Sequence, residues 1–152
     1  MSLAAAIANR LRCWSFQIYA CYRGTGARLT FIAEDWSEVR LKLPLSWRTR
    51  NYVGTIFGGS LYASVDPIYM IMLIHRLGPD FVVWDKAASI RFHKPGRETL
   101  HAHFLVPDED LAAIRAALES SRSVDRSYTI ELADASGTVC ATVEKIIYIR
   151  RR

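Results

Sequence analysis

The sequence predicts an α+β domain in which one long buried helix lies against a curved, mostly antiparallel sheet of about six strands. Three observations carry that prediction. The segment from Ile56 to Leu77 is apolar on nearly every side, and a helix without a polar face belongs inside a core. Before and after it run stretches in which apolar and polar residues alternate, the period of a half-buried strand. A chain of 152 residues is long enough for one proper core and too short for two ordinary domains. With 51% hydrophobic and 11% aromatic residues, disorder is excluded.

Taken in order, Leu3 to Tyr22 reads as a helix whose apolar positions Ile7, Leu11, Trp14, Ile18 and Tyr22 recur at steps of three and four. Gly24 and Gly26 end it, which sets residues 1–26 apart as an N-terminal helix from a domain over 27–152. Arg28 to Ala33 and Glu38 to Leu43 alternate as strands, with Asp35-Trp36-Ser37 as the turn between them. Pro44 to Arg50 is a basic loop. The buried helix begins near Phe57 and stops at Gly78-Pro79. Inside it Pro67 has no N–H for the carbonyl of Ala63 and disfavours helical geometry at Asp66, so a kink is expected at Asp66. The plainer reading is that Pro67 begins a second helix.

Phe81 to Lys94 reads as a long strand and Glu98 to Val106 as its partner, with Pro95-Gly96 as the turn. Asp108 is expected to cap a short amphipathic helix that runs to Glu119 and turns Leu111, Ile114, Ala117 and Leu118 inward. Arg126 to Ala133 and Thr138 to Arg150 form a last hairpin around Asp134-Ala135-Ser136-Gly137.

Several classes drop out. The longest apolar run, Ile68 to Ile74, is closed by His75 and Arg76 and falls far short of the ~20 residues a membrane span needs, so no membrane partner is expected. The N-terminus lacks a charged-then-apolar layout with a small-residue cleavage site, which predicts a cytoplasmic protein. Cys13, Cys21 and Cys140 have no ligand spacing and read as reduced thiols. His101 and His103 share a strand face, but no matching carboxylate or cysteine lies near in sequence to complete a metal site. A net charge of +5 suits an anionic partner. Nucleic acid is not expected, because no RNA-binding aromatic motif or basic recognition helix is present.

The residues with chemistry lie at and just before the buried helix. Asp66 is a lone carboxylate on an oily segment, where ionisation is costly without partners. Gly58 and Gly59 leave backbone N–H groups uncrowded where a helix start gathers partial positive charge. An anion-stabilising start with an acid partway along is the outline of an acyl-handling site. Asp85 and Lys86, mid-strand among apolar neighbours, either pair with each other or meet Asp66.

Read as N-x2-G-x3-G-G-x6-D, the residues Asn51, Gly54, Gly58, Gly59 and Asp66 resemble the signature of hotdog-fold acyl-CoA thioesterases of the phenylacetyl-CoA thioesterase type. The surrounding stretches, GTIFGGSLYASVDPIYMIMLIHRLG and VVWDKAASIRFHKPG, are similar to an uncharacterised hotdog branch known only as a domain of unknown function. The resemblance covers Ala27 to Arg150. It implies a hotdog fold that hydrolyses an acyl thioester, with Asp66 as nucleophile or general base and Asn51 and the Gly58 N–H as oxyanion contacts. Coenzyme A enters only as part of the substrate, and no other cofactor is implied. Phe57, Tyr62, Tyr69, Met70 and Met72 are candidates to line an acyl tunnel, and Gly59 to bind the substrate through its N–H. Arg91, Lys94 and Arg97 are candidates to receive coenzyme A phosphates, or else form a solvated basic edge. A homodimer or dimer of dimers is expected, because eight helical residues separate Gly58 from Asp66 by about 12 Å, too far for one carbonyl to reach both. Where the resembling enzymes carry His before the glycine pair, this chain carries Phe57, which forms no hydrogen bond to a thioester. That departure keeps a second reading open, a non-catalytic protein that binds acyl-CoA or a fatty acyl group.

Overall fold

A computed structural model describes residues 3–152. The elements run α1 (Leu3–Ile18), α2 (Ala20–Gly24), β1 (Arg28–Ile32), β2 (Glu38–Leu43), α3 (Gly58–Val65), α4 (Ile68–Leu77), β3 (Phe81–Phe92), β4 (Leu100–Leu105), α5 (Asp108–Ser120), β5 (Ser123–Ala133) and β6 (Val139–Arg151). The strands form one six-stranded antiparallel sheet in the order β1-β2-β4-β5-β6-β3, an open sheet against a central helix. This is the hotdog fold.

Alternation builds the core. Val39, Leu41 and Leu43 of β2, Leu100, Ala102 and Phe104 of β4, and Ile130 and Leu132 of β5 are buried at every second position. They share one apolar cluster with Leu61 and Val65 of α3 and Ile68, Met72 and Leu73 of α4. Each fully buried Val, Leu or Ile contributes roughly 1.5–3 kcal/mol by leaving water. No described helix is long and apolar enough to cross a membrane.

The central helix is two helices. Asp66 stays helical, at φ −50° and ψ −54°, and its N–H donates to the carbonyl of Tyr62. The break falls one residue later, at Pro67, where ψ relaxes to −8°. Proline removes the N–H that would continue the ladder, so α4 restarts from the Pro67 carbonyl, which accepts from Ile71.

The expected β3–β4 hairpin does not form. β3 pairs with β6, while β4 pairs with β2 and touches β5 through His101 and Ala133. Pro95 and Gly96 instead cross between distant strands, and the Gly96 carbonyl accepts from Ile56 N–H at 2.9 Å beside the start of α3. Gly96 fits there because a Cβ would stand 3.1 Å from Leu100 and 3.3 Å from Ile56. Asp108 is likewise not a cap. It is the first residue of α5 after Pro107, no side chain caps that helix, and its carboxylate pairs with Arg76.

The face of α1 is the third correction. Ile7, Leu11, Trp14 and Ile18 are exposed, and Asn9, Cys13 and Phe16 face the domain. β1 is an edge strand, and its backbone needs partners. Asn9 Oδ1 accepts from Ile32 N–H at 2.8 Å, Arg12 donates to the Ile32 carbonyl, and Gln17 donates to that of Ala27. Satisfying that edge turns the polar side of α1 inward.

β3 forms the opposite edge, with no strand beyond it among the described residues. Its register with β6 slips between Asp85 and Ala87, leaving Lys86 as the extra residue of a β-bulge.

Candidate active site

The loop from Asn51 to Thr55 is shaped by one side chain. Asn51 Oδ1 accepts from the N–H groups of Val53 and Thr55 at 3.1 and 3.0 Å, while its Nδ2 donates to Thr55 Oγ1 at 2.9 Å. Gly54, at φ +82°, closes the turn in a conformation that side chains disfavour. The chain then pairs Ile56 with Gly96, and Phe57 N–H donates to the Thr49 carbonyl at 2.7 Å, which aims α3.

Phe57 is the residue before the first turn of α3, in extended conformation, and no side chain caps the helix there. A Ser, Thr, Asp or Asn at that place would absorb one of the first N–H groups, and a phenyl ring cannot. The donors at the start of α3 therefore face outward with the positive end of the helix dipole behind them. Gly58 opens beside Asn51, Thr55, Phe92, His93 and Lys94 onto a cleft of about 390 Å³. Phe92 closes the wall, so near that a Cβ on Gly58 would meet its ring at 3.1 Å. Phe57, largely exposed, folds its own ring back over Gly59, where a Cβ would lie 2.3 Å from it.

At the other end of α3, Tyr62 and Asp66 stand one turn apart. Tyr62 Oη donates to Asp66 Oδ1 at 2.6 Å, and Lys145 Nζ donates to the same oxygen at 2.7 Å. Oδ2 has no hydrogen-bond partner among the described residues, on a side chain that is 42% exposed. Lys145 itself is 1% exposed and lies 3.1 Å from Asp85 Oδ1. Burial alone would lower the lysine's proton affinity; hydrogen bonds and charge from Asp66 and Asp85 more than offset it, so the ammonium is held above its ordinary value. For Asp85 the balance goes the other way. Burial pushes its carboxyl up despite the attraction of Lys145. Burial and the bond to Asp66 also raise the Tyr62 hydroxyl, which keeps it a donor.

The structure thus brings Asn51, Gly58 and Lys94 to one cleft and Tyr62 and Asp66 to one cluster. It turns Phe57 and Gly59 to each other. Tyr69 is a core residue, stacked on Tyr128 with ring centroids 4.2 Å apart. Arg91 sits by Ser89, Thr142 and Glu144 in a separate depression, and Arg97 is exposed. Asp85 reaches Asp66 only through Lys145, and Lys86 pairs with Asp125 instead. Lys145 is the member of this cluster that sequence reasoning misses. Its signal is present: in the inward series Ala141, Val143, Lys145, Ile147, Ile149 it is the single charge.

Residues 9–149 match the family described as Domain of unknown function (DUF4442). No curated protein matches the chain at a significant level. Among solved structures it is similar to a Pseudomonas aeruginosa protein of unknown function described as a probable thioesterase, at 18% identity and a TM-score of 0.78, covering 100% of this chain and 99% of that one. A Chlorobaculum tepidum protein of unknown function superposes at 16% identity and 0.73, covering 95% of each chain. A thioesterase from Haemophilus influenzae follows at 14% identity and 0.67, covering 95% of this chain and 88% of its own.

Proposed function

This chain belongs to the DUF4442 family and has the hotdog fold, and from that premise we propose that it hydrolyses an acyl thioester, an acyl-CoA of the cytoplasm. The observation that carries the reading is Asp66, whose Oδ1 is held by Tyr62 and Lys145 while Oδ2 is left open at the helix break. A carboxylate fixed in this way acts as a general base. Oδ2 takes a proton from water as the water oxygen bonds to the thioester carbon. The carbonyl oxygen becomes an oxyanion, held by the Gly58 N–H and the Asn51 amide. Collapse breaks the carbon–sulfur bond, and the departing thiolate receives the proton from Asp66.

The two halves of this reaction come from different subunits. Within one chain Gly58 and Asp66 are about 12 Å apart. β3 supports a homodimer: it is twelve residues long, its outer edge is unpaired among the described residues, and Ala87, Ala88 and Ser89 are exposed. Such an edge is a template for antiparallel pairing with a second copy. Leu61, Ile56 and Phe92 give the cleft an apolar wall for the acyl group, and Lys94 at its mouth offers a cation to coenzyme A phosphate.

Phe57 favours a second reading, binding without hydrolysis, because its ring supplies no hydrogen bond where the resembling enzymes have His. Hydrolysis assays across acyl-CoA chain lengths, run beside calorimetry of binding, separate the two. Hydrolysis of medium, long or aromatic acyl-CoA, faster than acetyl-CoA, supports the enzyme. Tight binding with no release of free thiol from any of them replaces it with the binding protein.

A further inference from the structure

We propose that the outer face of α1, together with the loop carrying Trp47 and Arg48, docks this protein onto an anionic lipid bilayer. Leu3, Ile7, Leu11, Trp14 and Ile18 are between 51% and 79% exposed. At 100° per residue they form one stripe, opposite the side on which Asn9, Cys13 and Phe16 pack. The stripe is about 24 Å long at 1.5 Å per residue, a helix that lies along a surface and is too short to span one. Trp47, 83% exposed, continues it, and Arg48 lies over that ring at 5.0 Å. Trp14, Trp47, Arg23, Arg28 and Arg48 line one groove of about 590 Å³ between helix and loop.

Charge selects the occupant. Residues 3–33 and 44–65 contain six arginines and no acidic residue, leaving 14 basic and 15 acidic residues elsewhere. The chain's positive excess therefore sits in these two segments, of which Arg23, Arg28 and Arg48 line this groove while Arg12 turns inward to the Ile32 carbonyl. A second copy docked here by a two-fold axis would set those cations against themselves, with no carboxylate between them. An anionic headgroup layer answers the arginines, while tryptophan and arginine, apolar in body and polar at the tip, seat at its boundary with the acyl chains. Each cation near such a surface strengthens attachment roughly fivefold. The expectation of no membrane partner rests on the lack of a spanning segment, which is a separate matter from attachment. The face is independent of the Asp66 cluster.

Co-sedimentation of the full chain with phosphatidylcholine vesicles, with and without phosphatidylglycerol, tests the proposal. The protein is expected to pellet with the anionic vesicles at least tenfold more tightly, and less so as salt rises. Ile7→Glu/Leu11→Glu should lose at least tenfold in that binding, and Arg23→Ala/Arg48→Ala roughly 25-fold at two cations. Both pairs are exposed, so the circular dichroism spectrum and melting temperature should stay unchanged. Failure to pellet with anionic vesicles overturns the proposal. So does binding that Ile7→Glu/Leu11→Glu leaves intact, or self-association that this variant abolishes in a protein that ignores vesicles.

Discussion

At its first turn α3 presents backbone donors that no side chain answers, and at its last turn a carboxylate that two side chains already hold. The start offers backbone N–H groups, with the charge of Lys94 supplied from across the cleft, and its geometry is fixed by neighbouring backbone: Phe57 to Thr49, Ile56 to Gly96. The end carries three charges, one of them buried, and its geometry is fixed by side chains from α3, β3 and β6. Backbone donors survive most substitutions around them, whereas a charge network fails when any one partner is removed. The two ends should therefore respond very differently to mutation.

Asp66→Asn is the sharpest way to break the comparison. It keeps the size of the side chain and removes the base, so kcat should fall on the order of 100- to 10,000-fold while acyl-CoA binding persists. Stopped-flow release of thiol beside calorimetry reads both, and wild-type kcat in the Asp66→Asn variant would discard the mechanism.

Lys145→Met comes next. It strands Asp85 half-buried, and the cost should be about 3 kcal/mol, at the low end for a broken buried pair because Asp66 keeps part of its water. A fall in melting temperature of roughly 6–12 °C checks it. The same variant carries a pH test. Because the folded state raises the Lys145 value above the unfolded one, its stabilisation is complete below the ordinary lysine value of 10.5 and disappears as pH rises through the folded value. Wild type should lose stability in that alkaline window, and Lys145→Met should lose distinctly less over the same range in urea titrations.

At the start of α3, Asn51→Ala should cost about 100-fold in kcat, as for one oxyanion donor, with a smaller change in KM. The smallest effect is expected from Phe57→His, a rise in kcat smaller than the loss in Asn51→Ala if a missing polar group limits the step. No change there, with Asn51→Ala still impaired, would show that the Gly58 N–H and the Asn51 amide suffice without a third polar group.

The sequence made the architecture legible where one residue's pattern decides one element's fate. The uniformly oily run from Ile56 marks the buried helix, and alternation marks β2, β4 and β6. Local pattern fails where an element's neighbours decide. Pairing β3 with β6 depends on which edge is free, and nothing local to Pro95-Gly96 encodes that. The apolar stripe of α1 argues for burial, yet the bare backbone of β1 claims the polar side. At the site, Asp66 and Gly58 stand out through the motif that carries the family resemblance. The four-residue step from Tyr62 to Asp66 and the lone lysine in the inward series of β6 are equally regular, but neither gains meaning until β6 is laid beside α3.

The bulge at Lys86 settles a question of parity. Asp85 faces Lys145 and Phe92 faces Gly58, both on the inner side of the sheet, paired across from Ile147 and Ala141. They are seven positions apart (92 − 85 = 7), and an odd count in a regular strand sends two residues to opposite faces. One uncounted residue makes the number even. Lys86 thus acts as a punctuation mark whose identity matters little and whose presence matters greatly. Substitutions there should be silent, whereas removing or adding one residue between 86 and 91 would turn either the acid or the ring to the outside and uncouple the two ends of the site.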